Sequence, residues 1–367
     1  MQYNWQQPDW LDFKYNISSV LDLLVLFAED TGHITGILKT LPENTQLETA
    51  VDIMIAEAMK TSEIEGEYLS RKDVASSIRN KLGLNKKPDT VKDKMAKGAG
   101  ELIVDVRETF TEQLTKEKLF AWHSMLFGNN KTINTGTWRK HKQPMQVVSG
   151  AIGKEKIHFE APPSSQISKE MKQFIIWFNA TSPKGAQPIK NAPVRAAIAH
   201  LYFESIHPFE DGNGRIGRAI AEKVLSQTVG RPLLLSLSRT IEIKKNFYYK
   251  ALESAQKSNE ITKWIQYFVQ LCLDAQKQTY QWIDFVLNKT QFLDRYKSVM
   301  NDRHLKVINK MLDAGPEGFE GGMNAKKYTS ITKTSKATAT RDLQYLSEHN
   351  ILITKGGGRS THYVLNI

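Results

Sequence analysis

The chain has 367 residues, of which 40% are hydrophobic and 24% charged, so it is long enough for two or three globular domains. No window approaches the roughly 18 apolar residues of a membrane span, and the first residues lack the basic and apolar runs of a secretory signal. The single cysteine, Cys272, excludes an internal disulfide and fits a reducing, cytoplasmic location. The net charge of +11 favours partners that carry phosphate, such as nucleotides or nucleic acid.

The first third of the chain is predicted to be helical. Apolar side chains recur at helical spacing between about residues 16 and 60. The clearest apolar face consists of Leu47, Val51, Met54 and Ala58. Gly66 is the predicted end of this helix, and a polar loop with Pro88 follows. Helix is predicted to resume between about residues 97 and 127.

The middle of the chain contains a predicted β-hairpin between helices. The runs MQVVSG and KIHFEA are β-prone and are separated by AIGKE, and Pro162 and Pro163 end the second run. The next helix is predicted to begin with Ser168 as its N-cap. Further helical segments are predicted at about 192–206, 219–229, 240–257 and 260–298. In residues 300–367 the pattern changes to three short helices followed by two strands around a glycine turn.

The stretch HPFEDGNGRIGR, residues 207–218, combines groups that bind an anion. Gly212, Asn213 and Gly214 permit positive φ angles, so that successive N–H groups can form a nest for phosphate. The apolar-periodic segment IGRAIAEKVLS follows at once, so the loop opens a helix whose N-terminus also favours phosphate. Arg215 and Arg218 are three residues apart and are predicted to lie on one helix face near the same anion.

The same stretch offers groups for catalysis. Asp211 can bind a divalent cation beside phosphates, because Mg²⁺ prefers hard oxygen ligands and often uses a single carboxylate. His207 can accept a proton near neutral pH. Taken singly, each residue has a structural alternative: a core histidine, a turn or a solvated helix face. Their combination within twelve residues indicates phosphoryl or nucleotidyl transfer.

This stretch resembles the Fic family signature, H-x-F-x-[D/E]-G-N-G-R-x-x-R. The matching residues are His207, Phe209, Asp211, Gly212, Asn213, Gly214, Arg215 and Arg218. The resemblance extends over about residues 40–270 and implies a mainly α fold, with a Fic-type helical core and a β-hairpin flap. Most members are protein adenylyltransferases, which move AMP from ATP to a Ser, Thr or Tyr hydroxyl of a target protein, and some modify themselves.

The resemblance also implies residue roles. His207 would deprotonate the target hydroxyl, Asp211 would hold Mg²⁺ between the α- and β-phosphates, and Arg218 would grip the γ-phosphate. The GNG amides would bind phosphates, and Phe209 would anchor the loop to the core. The hairpin VVSGAIGKEKIHFEA resembles the flap that docks the target, the alternative being an ordinary surface hairpin. The other implied nucleotide contacts are Glu65, Val148, Ser149, Gly150, Ala151, Arg215, Ile216, Gly217, Tyr248, Tyr249 and Gln256, although the tyrosines are equally compatible with the core.

A second motif lies upstream, at residues 61–66. TSEIEG resembles the Fic inhibitory motif, [S/T]-x-x-x-E-[G/N], through Thr61, Glu65 and Gly66. The alternative is a helix end with a solvated glutamate. The resemblance implies that Glu65 pairs with Arg218, which a carboxylate can do through two parallel hydrogen bonds. ATP would then bind in a pose unsuited to in-line attack, because Arg218 is no longer available to the γ-phosphate.

Residues 300–367 resemble a winged helix-turn-helix module. SKATATRDLQYLSEHN would be its recognition helix, with Ala339, Leu343 and Leu346 facing inward, and ITKGGGRSTHYVL its wing. Side chains suited to a DNA backbone are Lys333, Lys336, Thr338, Arg341 and Arg359. Such folds also bind proteins, so DNA and protein partners both remain open.

Together these patterns predict four regions. They are an N-terminal helical region with the inhibitory motif (1–95), a Fic catalytic domain (96–275), a helical connector (276–299) and a winged helix-turn-helix domain (300–367). The predicted activity is ATP- and Mg²⁺-dependent protein adenylylation, inhibited by Glu65, in a protein without membrane partners and compatible with a homodimer. The alternatives are another nucleotide or removal of AMP on the same fold, and a DNA-binding regulator that uses the Fic module as a sensor.

Overall fold

The computed structural model describes residues 2–128, 132–150 and 156–367. The chain divides into two compact units, Met1–Gln278 and Thr279–Ile367. The predicted mainly α fold with a small hairpin is confirmed, whereas the finer division into four regions stays a prediction. No helix in the described ranges combines the length and apolar character that crossing a bilayer requires.

The first unit consists of helices and one hairpin. Its helices are α1 (Leu21–Thr40), α2 (Glu43–Ile64), α3 (Arg71–Lys81), α4 (Lys94–Glu108), α5 (Lys116–Phe127), α6 (Ile167–Ala180), α7 (Ala192–Ile206), α8 (Asn213–Val229), α9 (Leu237–Ile243) and α10 (Lys245–Ala255). Helix α11 (Thr262–Tyr296) runs across the division between the units. Strands β1 (Gln146–Ser149) and β2 (Lys156–Glu160) pair antiparallel, as the sequence predicts, with an irregularity between Val147 and Val148.

Helices α7 and α8 form the centre of this unit. Every residue of α7 is buried, and most of them are apolar or small, although Arg195, His200 and Glu204 are buried with them. Helix α8 packs along it at close range, because a Cβ at Gly217 would lie 2.2 Å from a carboxylate oxygen of Glu204 on α7. The loop between these two helices, which contains the signature, is therefore fixed at both ends by buried helices.

Helix α2 brings the stretch TSEIEG, residues 61–66, to this centre. Val51, Met54 and Ala58 are buried against α3 and α4, whereas Leu47 is 37% exposed, so the predicted apolar face is confirmed at three of its four positions. The Glu57 carboxylate is buried and accepts hydrogen bonds from side chains and backbone at the start of α9. The helix ends at Ile64, as predicted, because Gly66 adopts a positive φ of 84°.

The N-terminal residues pack on the same core. Asn4 is buried and donates from Nδ2 to Ser205 Oγ on α7 at 2.9 Å. Trp5 Nε1 donates to the backbone carbonyl of Glu160 at 2.7 Å, which fixes the end of β2. The predicted N-cap at Ser168 is wrong: α6 begins at Ile167 after a 3-10 turn, so Ser168 lies within the helix.

One close approach between helices gives a test of the packing. A Cβ at Gly98 of α4 would lie 1.7 Å from the backbone carbonyl oxygen of Met125 in α5. We expect Gly98→Ala to destabilise the protein by at least about 2 kcal/mol, because backbone atoms must move apart. Gly36 of α1 has open space, so Gly36→Ala should stabilise by about 0.5–1 kcal/mol. Urea unfolding followed by circular dichroism checks both, and equal stability of the two variants would contradict the packing.

The second unit has the element order that the sequence predicts. After the end of α11 it contains α12 (Asp302–Leu312), α13 (Ala325–Thr332), α14 (Lys336–Glu348) and the antiparallel strands β3 (Leu352–Lys355) and β4 (His362–Leu365). Ala339, Leu343 and Leu346 are buried, as predicted. The buried side of α14 also presents Asp342, which pairs with Arg303 at 3.1 Å. The assignment of this unit as a winged helix stays a prediction.

Candidate active site

A cavity of about 830 Å³ lies where the end of α2, the hairpin, the α7–α8 loop and α10 meet. His207, Asp211, Arg218 and the turn Gly212–Gly214 all line it. The structure therefore brings together the phosphate turn, the carboxylate and the histidine that the sequence pattern indicates, within a space large enough for a nucleotide.

The α7–α8 loop is held from within by signature residues. Asn213 accepts at Oδ1 from the backbone N–H of Phe209 and donates from Nδ2 to its carbonyl, both at 2.9 Å. Phe209 is fully buried and its ring stacks on that of His123 at 4.2 Å. Gly212 has a φ of 78°, a conformation that favours glycine. Phe209 thus anchors the loop to the core, and the amide side chain of Asn213 holds the loop closed through its two bonds to the Phe209 backbone.

His207 stands at the end of α7 in a fixed position. Its backbone is left-handed, with a φ of 50°, and its carbonyl accepts from Nε of the buried Arg139 at 2.8 Å. Burial, reinforced by the charge of Arg139, lowers the pKa of His207 to about 4. The imidazole is therefore neutral at pH 7 and able to accept a proton.

Arg218 is held by the end of α2 through three hydrogen bonds. Its Nη2 donates to Glu65 Oε1 at 2.7 Å and to the Thr61 carbonyl at 2.9 Å, and its Nε donates to Thr61 Oγ1 at 2.8 Å. The geometry corrects the expected pair of parallel bonds to Glu65, because Thr61 accepts from Nε instead. Burial opposes ionisation of Glu65, but the charge and hydrogen bond of Arg218, with the charges of Arg215 and Lys245, together lower its pKa.

The second glycine of the signature makes room for this contact. A Cβ at Gly214 would lie 2.3 Å from Glu65 Oε1 and 3.0 Å from Arg218 Nη1. The carboxylate thus rests directly on the first turn of α8. Any larger residue at position 214 would displace it, so the turn and the Glu65 carboxylate share one space.

Arg215 does not join Arg218 at the cavity, contrary to the expectation of one shared helix face. Its Nη1 pairs with Glu67 Oε2 at 2.5 Å, and its guanidinium carbon lies 4.8 Å from the Phe127 ring centroid. Ile216 is fully buried in the core and Gly217 packs on α7. These three residues of α8 therefore face neighbouring parts of the protein and do not line the cavity.

Asp211 is the carboxylate of the loop suited to a metal. Its side chain is half-exposed, its Oδ1 accepts from the Gly212 N–H at 2.5 Å, and Arg215 Nη2 lies 3.6 Å away. The described residues hold no group of three or more metal-ligating side chains. A single accessible carboxylate next to a phosphate turn suits Mg²⁺, which takes its other oxygens from water and phosphate.

The remaining predicted nucleotide contacts divide into two groups. Val148, Ser149, Tyr248, Tyr249 and Gln256 line the cavity. Tyr248 is nonetheless nearly inaccessible, with its hydroxyl 2.7 Å from His200 Nε2, so it is mainly a core residue.

The other two predicted contacts are Gly150 and Ala151. Gly150 follows β1 with a φ of 110° and does not line the cavity. Ala151 lies outside the described residues.

Glu204 is a cavity residue that the sequence pattern did not single out. It is buried, its Oε2 lies 3.8 Å from His207 Nδ1, and its Oε1 has no hydrogen-bond partner among the described residues. Burial raises its pKa to about 8, against the charge of Arg218, so it carries a proton at neutral pH. The signal was its position one helical turn before His207, on the same face.

This carboxyl makes stability depend on pH in a predictable direction. Its pKa rises from 4.5 to about 8 on folding, so the folded chain binds more protons between these values, and its stabilising contribution is lost as the pH rises through this window. Relative to Glu204→Gln, the wild type should lose up to about 1.4 kcal/mol per pH unit there. Unfolding free energies at pH 5.5 and 8.5 test this, with the exposed Glu29→Gln as control. A constant difference between wild type and Glu204→Gln would contradict it.

Family comparisons agree with this geometry. Residues 113–225 match the Fic/DOC family, and residues 3–84 match a domain of unknown function, DUF4172. Protein adenylyltransferase fic-1 of Caenorhabditis elegans is 26% identical over 144 residues, which are 39% of this chain and 24% of that protein. Protein adenylyltransferase Fic of Nematostella vectensis is 23% identical over 221 residues, 59% of this chain and 46% of that protein. The aligned regions thus span less than half the length of these curated relatives.

Solved structures show the same fold. A Fic family protein from Desulfovibrio desulfuricans G20 superposes with a TM-score of 0.52 at 18% identity, covering 94% of this chain and 95% of that one. A Fic domain containing signaling protein from Bacteroides thetaiotaomicron gives 0.51 at 16% identity, covering 68% and 95%. With the signature, the cavity and the family match in one place, the chain carries a domain of the Fic/DOC family at residues 113–225.

Proposed function

We propose that this protein is a protein adenylyltransferase that moves AMP from ATP to a Ser, Thr or Tyr hydroxyl of a target protein. The observation that carries the proposal is the single cavity shared by His207, Asp211, Arg218 and the Gly212–Gly214 turn. The relatives named protein adenylyltransferase support the same activity. These residues supply an anion nest, a metal carboxylate and a base, which are the parts that phosphoryl-type transfer requires.

His207 is the general base in this proposal. Its neutral imidazole takes the proton of the incoming hydroxyl while that oxygen attacks the α-phosphorus. The bond from the α-phosphorus to the pyrophosphate oxygen then breaks. The N–H groups at the start of α8 face the phosphates, and Arg218 holds the γ-phosphate once it is free of Glu65. Asp211 would hold a Mg²⁺ ion, which would supply positive charge to stabilise the departing pyrophosphate.

Inhibition follows from the contacts of Arg218. Three hydrogen bonds from this guanidinium end on Thr61 and Glu65, so the group is committed to α2. A γ-phosphate must compete with an ionised carboxylate already in place. We therefore propose that Glu65 keeps the bound triphosphate out of the in-line pose and that displacement of the end of α2 activates the enzyme.

The reaction class can be tested with labelled ATP. A cell lysate is incubated with the Glu65→Gly chain, Mg²⁺ and ATP labelled on either the α- or the γ-phosphate. Adenylylation puts the α-label, and not the γ-label, on protein, and mass spectrometry then finds AMP on a hydroxyl residue. Transfer of the γ-label, another added mass, or loss of AMP from modified proteins would replace the proposal by one of the alternative activities.

For the second unit we propose nucleic-acid binding. Lys333, Lys336 and Arg341, on and around the start of α14, are exposed, as contacts to a DNA backbone require. Thr338 lies in the first turn of α14, and the side chain of Arg359 lies outside the described part of the chain. Binding to duplex DNA that weakens steeply with salt would support this proposal, and salt-independent or absent binding would favour a protein partner. The homodimer and the cytoplasmic location stay predictions.

A further inference from the structure

Three polar side chains form a chain of hydrogen bonds along one wall of the cavity. Ser149 Oγ, at the end of β1, lies 2.6 Å from Nε2 of His158 in β2. His158 Nδ1 lies 2.9 Å from Oε2 of Glu253 in α10. All three residues line the cavity that contains His207. None of the steps proposed above uses His158 or Glu253.

The contacts fix the direction of the hydrogen bond between His158 and Glu253. Lys257 Nζ lies 2.7 Å from Glu253 Oε1, and the hydrogen bonds from Lys257 and His158 lower the pKa of Glu253. An ionised carboxylate can only accept, so His158 must donate from Nδ1. In the neutral imidazole, Nε2 then carries the lone pair and can accept the hydroxyl proton of Ser149. A hydroxyl, an imidazole and an orienting carboxylate in this order constitute an activated nucleophile.

We propose that Ser149 is itself an acceptor of AMP, with His158 as its own general base. This inference rests on the proposed function, since the electrophile is the α-phosphorus of ATP bound in the same cavity. Ser149 Oγ bonds to the α-phosphorus as His158 Nε2 takes its proton. The bond to pyrophosphate breaks, and Glu253 stabilises the imidazolium through Nδ1–H. The products are AMP-Ser149 and pyrophosphate, and the proton passes from His158 to solvent.

The two histidines then serve different acceptors. His207 deprotonates the hydroxyl of a target protein, whereas His158 deprotonates the hydroxyl of Ser149, to which it is hydrogen-bonded. An AMP ester on Ser149 would stand at the end of β1 on the cavity wall. The AMP group on Ser149 would therefore occupy the part of the cavity beside the hairpin and leave less room for a target protein.

Peptide mapping of the full chain tests the proposal. The Glu65→Gly chain is incubated with ATP and Mg²⁺, together with a lysate as the source of other acceptors, and AMP is located by tandem mass spectrometry. We expect AMP on Ser149. Adding His158→Gln should lower its rate of formation by about a hundredfold, in the range of a lost general base. Adding the exposed His33→Gln in α1 is the matched control. With His207→Asn added instead, AMP should disappear from lysate proteins but remain detectable on Ser149.

The outcomes separate this inference from the proposed function. If no protein acquires AMP, the proposed function fails. If lysate proteins acquire AMP and Ser149 does not, only the inference is overturned. It is overturned as well if His158→Gln lowers AMP on all acceptors equally, because the three residues would then only fasten the hairpin to α10.

Discussion

We expect Glu65→Gly to raise the rate of AMP transfer by about ten- to hundredfold. The variant loses one charge-assisted hydrogen bond between the carboxylate and Arg218, which is worth roughly 1.5–3 kcal/mol. A free-energy difference of that size corresponds to this change in rate. The bond is 2.7 Å long and half-buried, with Arg218 itself buried, and only the contacts to Thr61 remain when it is removed. The released guanidinium can then turn to a γ-phosphate. Incorporation of α-labelled ATP into the chain and into lysate proteins measures the effect.

The matched control is Glu63→Gly, which introduces the same residue at the same end of α2. Glu63 pairs with Lys60 at 2.5 Å and does not contact Arg218, so this variant should stay at the wild-type rate. A rise in both variants would mean that loosening the helix end, and not freeing the guanidinium, activates the enzyme. No rise in Glu65→Gly would refute inhibition by this contact.

Removing the imidazole of His207 is expected to lower transfer to target proteins by about 10²–10⁴-fold, the contribution typical of a general base. Alanine is a poor replacement, because the backbone here is left-handed with a φ of 50°. His207→Asn is the better variant, since asparagine tolerates that conformation and cannot act as a base at neutral pH. Initial rates with α-labelled ATP in the Glu65→Gly background give the effect.

The pH profile provides a second measurement on the same residue. The pKa of His207 lies near 4, so protonation of this group should not reduce the rate between pH 6 and 8. A variant that melts at the wild-type temperature and still transfers AMP to lysate proteins at the wild-type rate would remove His207 from the mechanism.

The contact proposed to inhibit the protein joins the two regions that match different families. Glu65 and Thr61 lie within the match to the domain of unknown function, and Arg218 lies within the Fic/DOC match. Helix α2 is also fixed at a second point outside this contact, because its Glu57 carboxylate accepts hydrogen bonds from the start of α9. A ligand or partner that disturbs α9 would thus act on the position of Glu65, which makes the N-terminal region a regulatory element in this proposal.

The catalytic stretch could be predicted from the sequence because its chemistry is local. Positions 207 to 218 form one loop and the first turns of α8, so the backbone alone keeps them close together. The helical character, the hairpin and the end of α2 at Gly66 could be predicted for the same reason. Hydrophobic periodicity and turn residues determine secondary structure over a few neighbouring positions, so they can be recognised in the sequence itself.

Contacts between distant residues could not be read in this way. Arg215 and Arg218 lie on the same helix but have different partners. Arg215 pairs with Glu67. Arg218 donates hydrogen bonds to Thr61 and Glu65. Nothing local distinguishes the two arginines, because their partners lie about 150 positions away along the chain.

The same limit applies to the other groups around the cavity. The raised pKa of Glu204 comes from burial between α7 and α8, and the Ser149–His158–Glu253 chain exists only because the hairpin lies beside α10. Desolvation and hydrogen bonding depend on separations of a few ångströms, and packing sets these separations after the helices have formed.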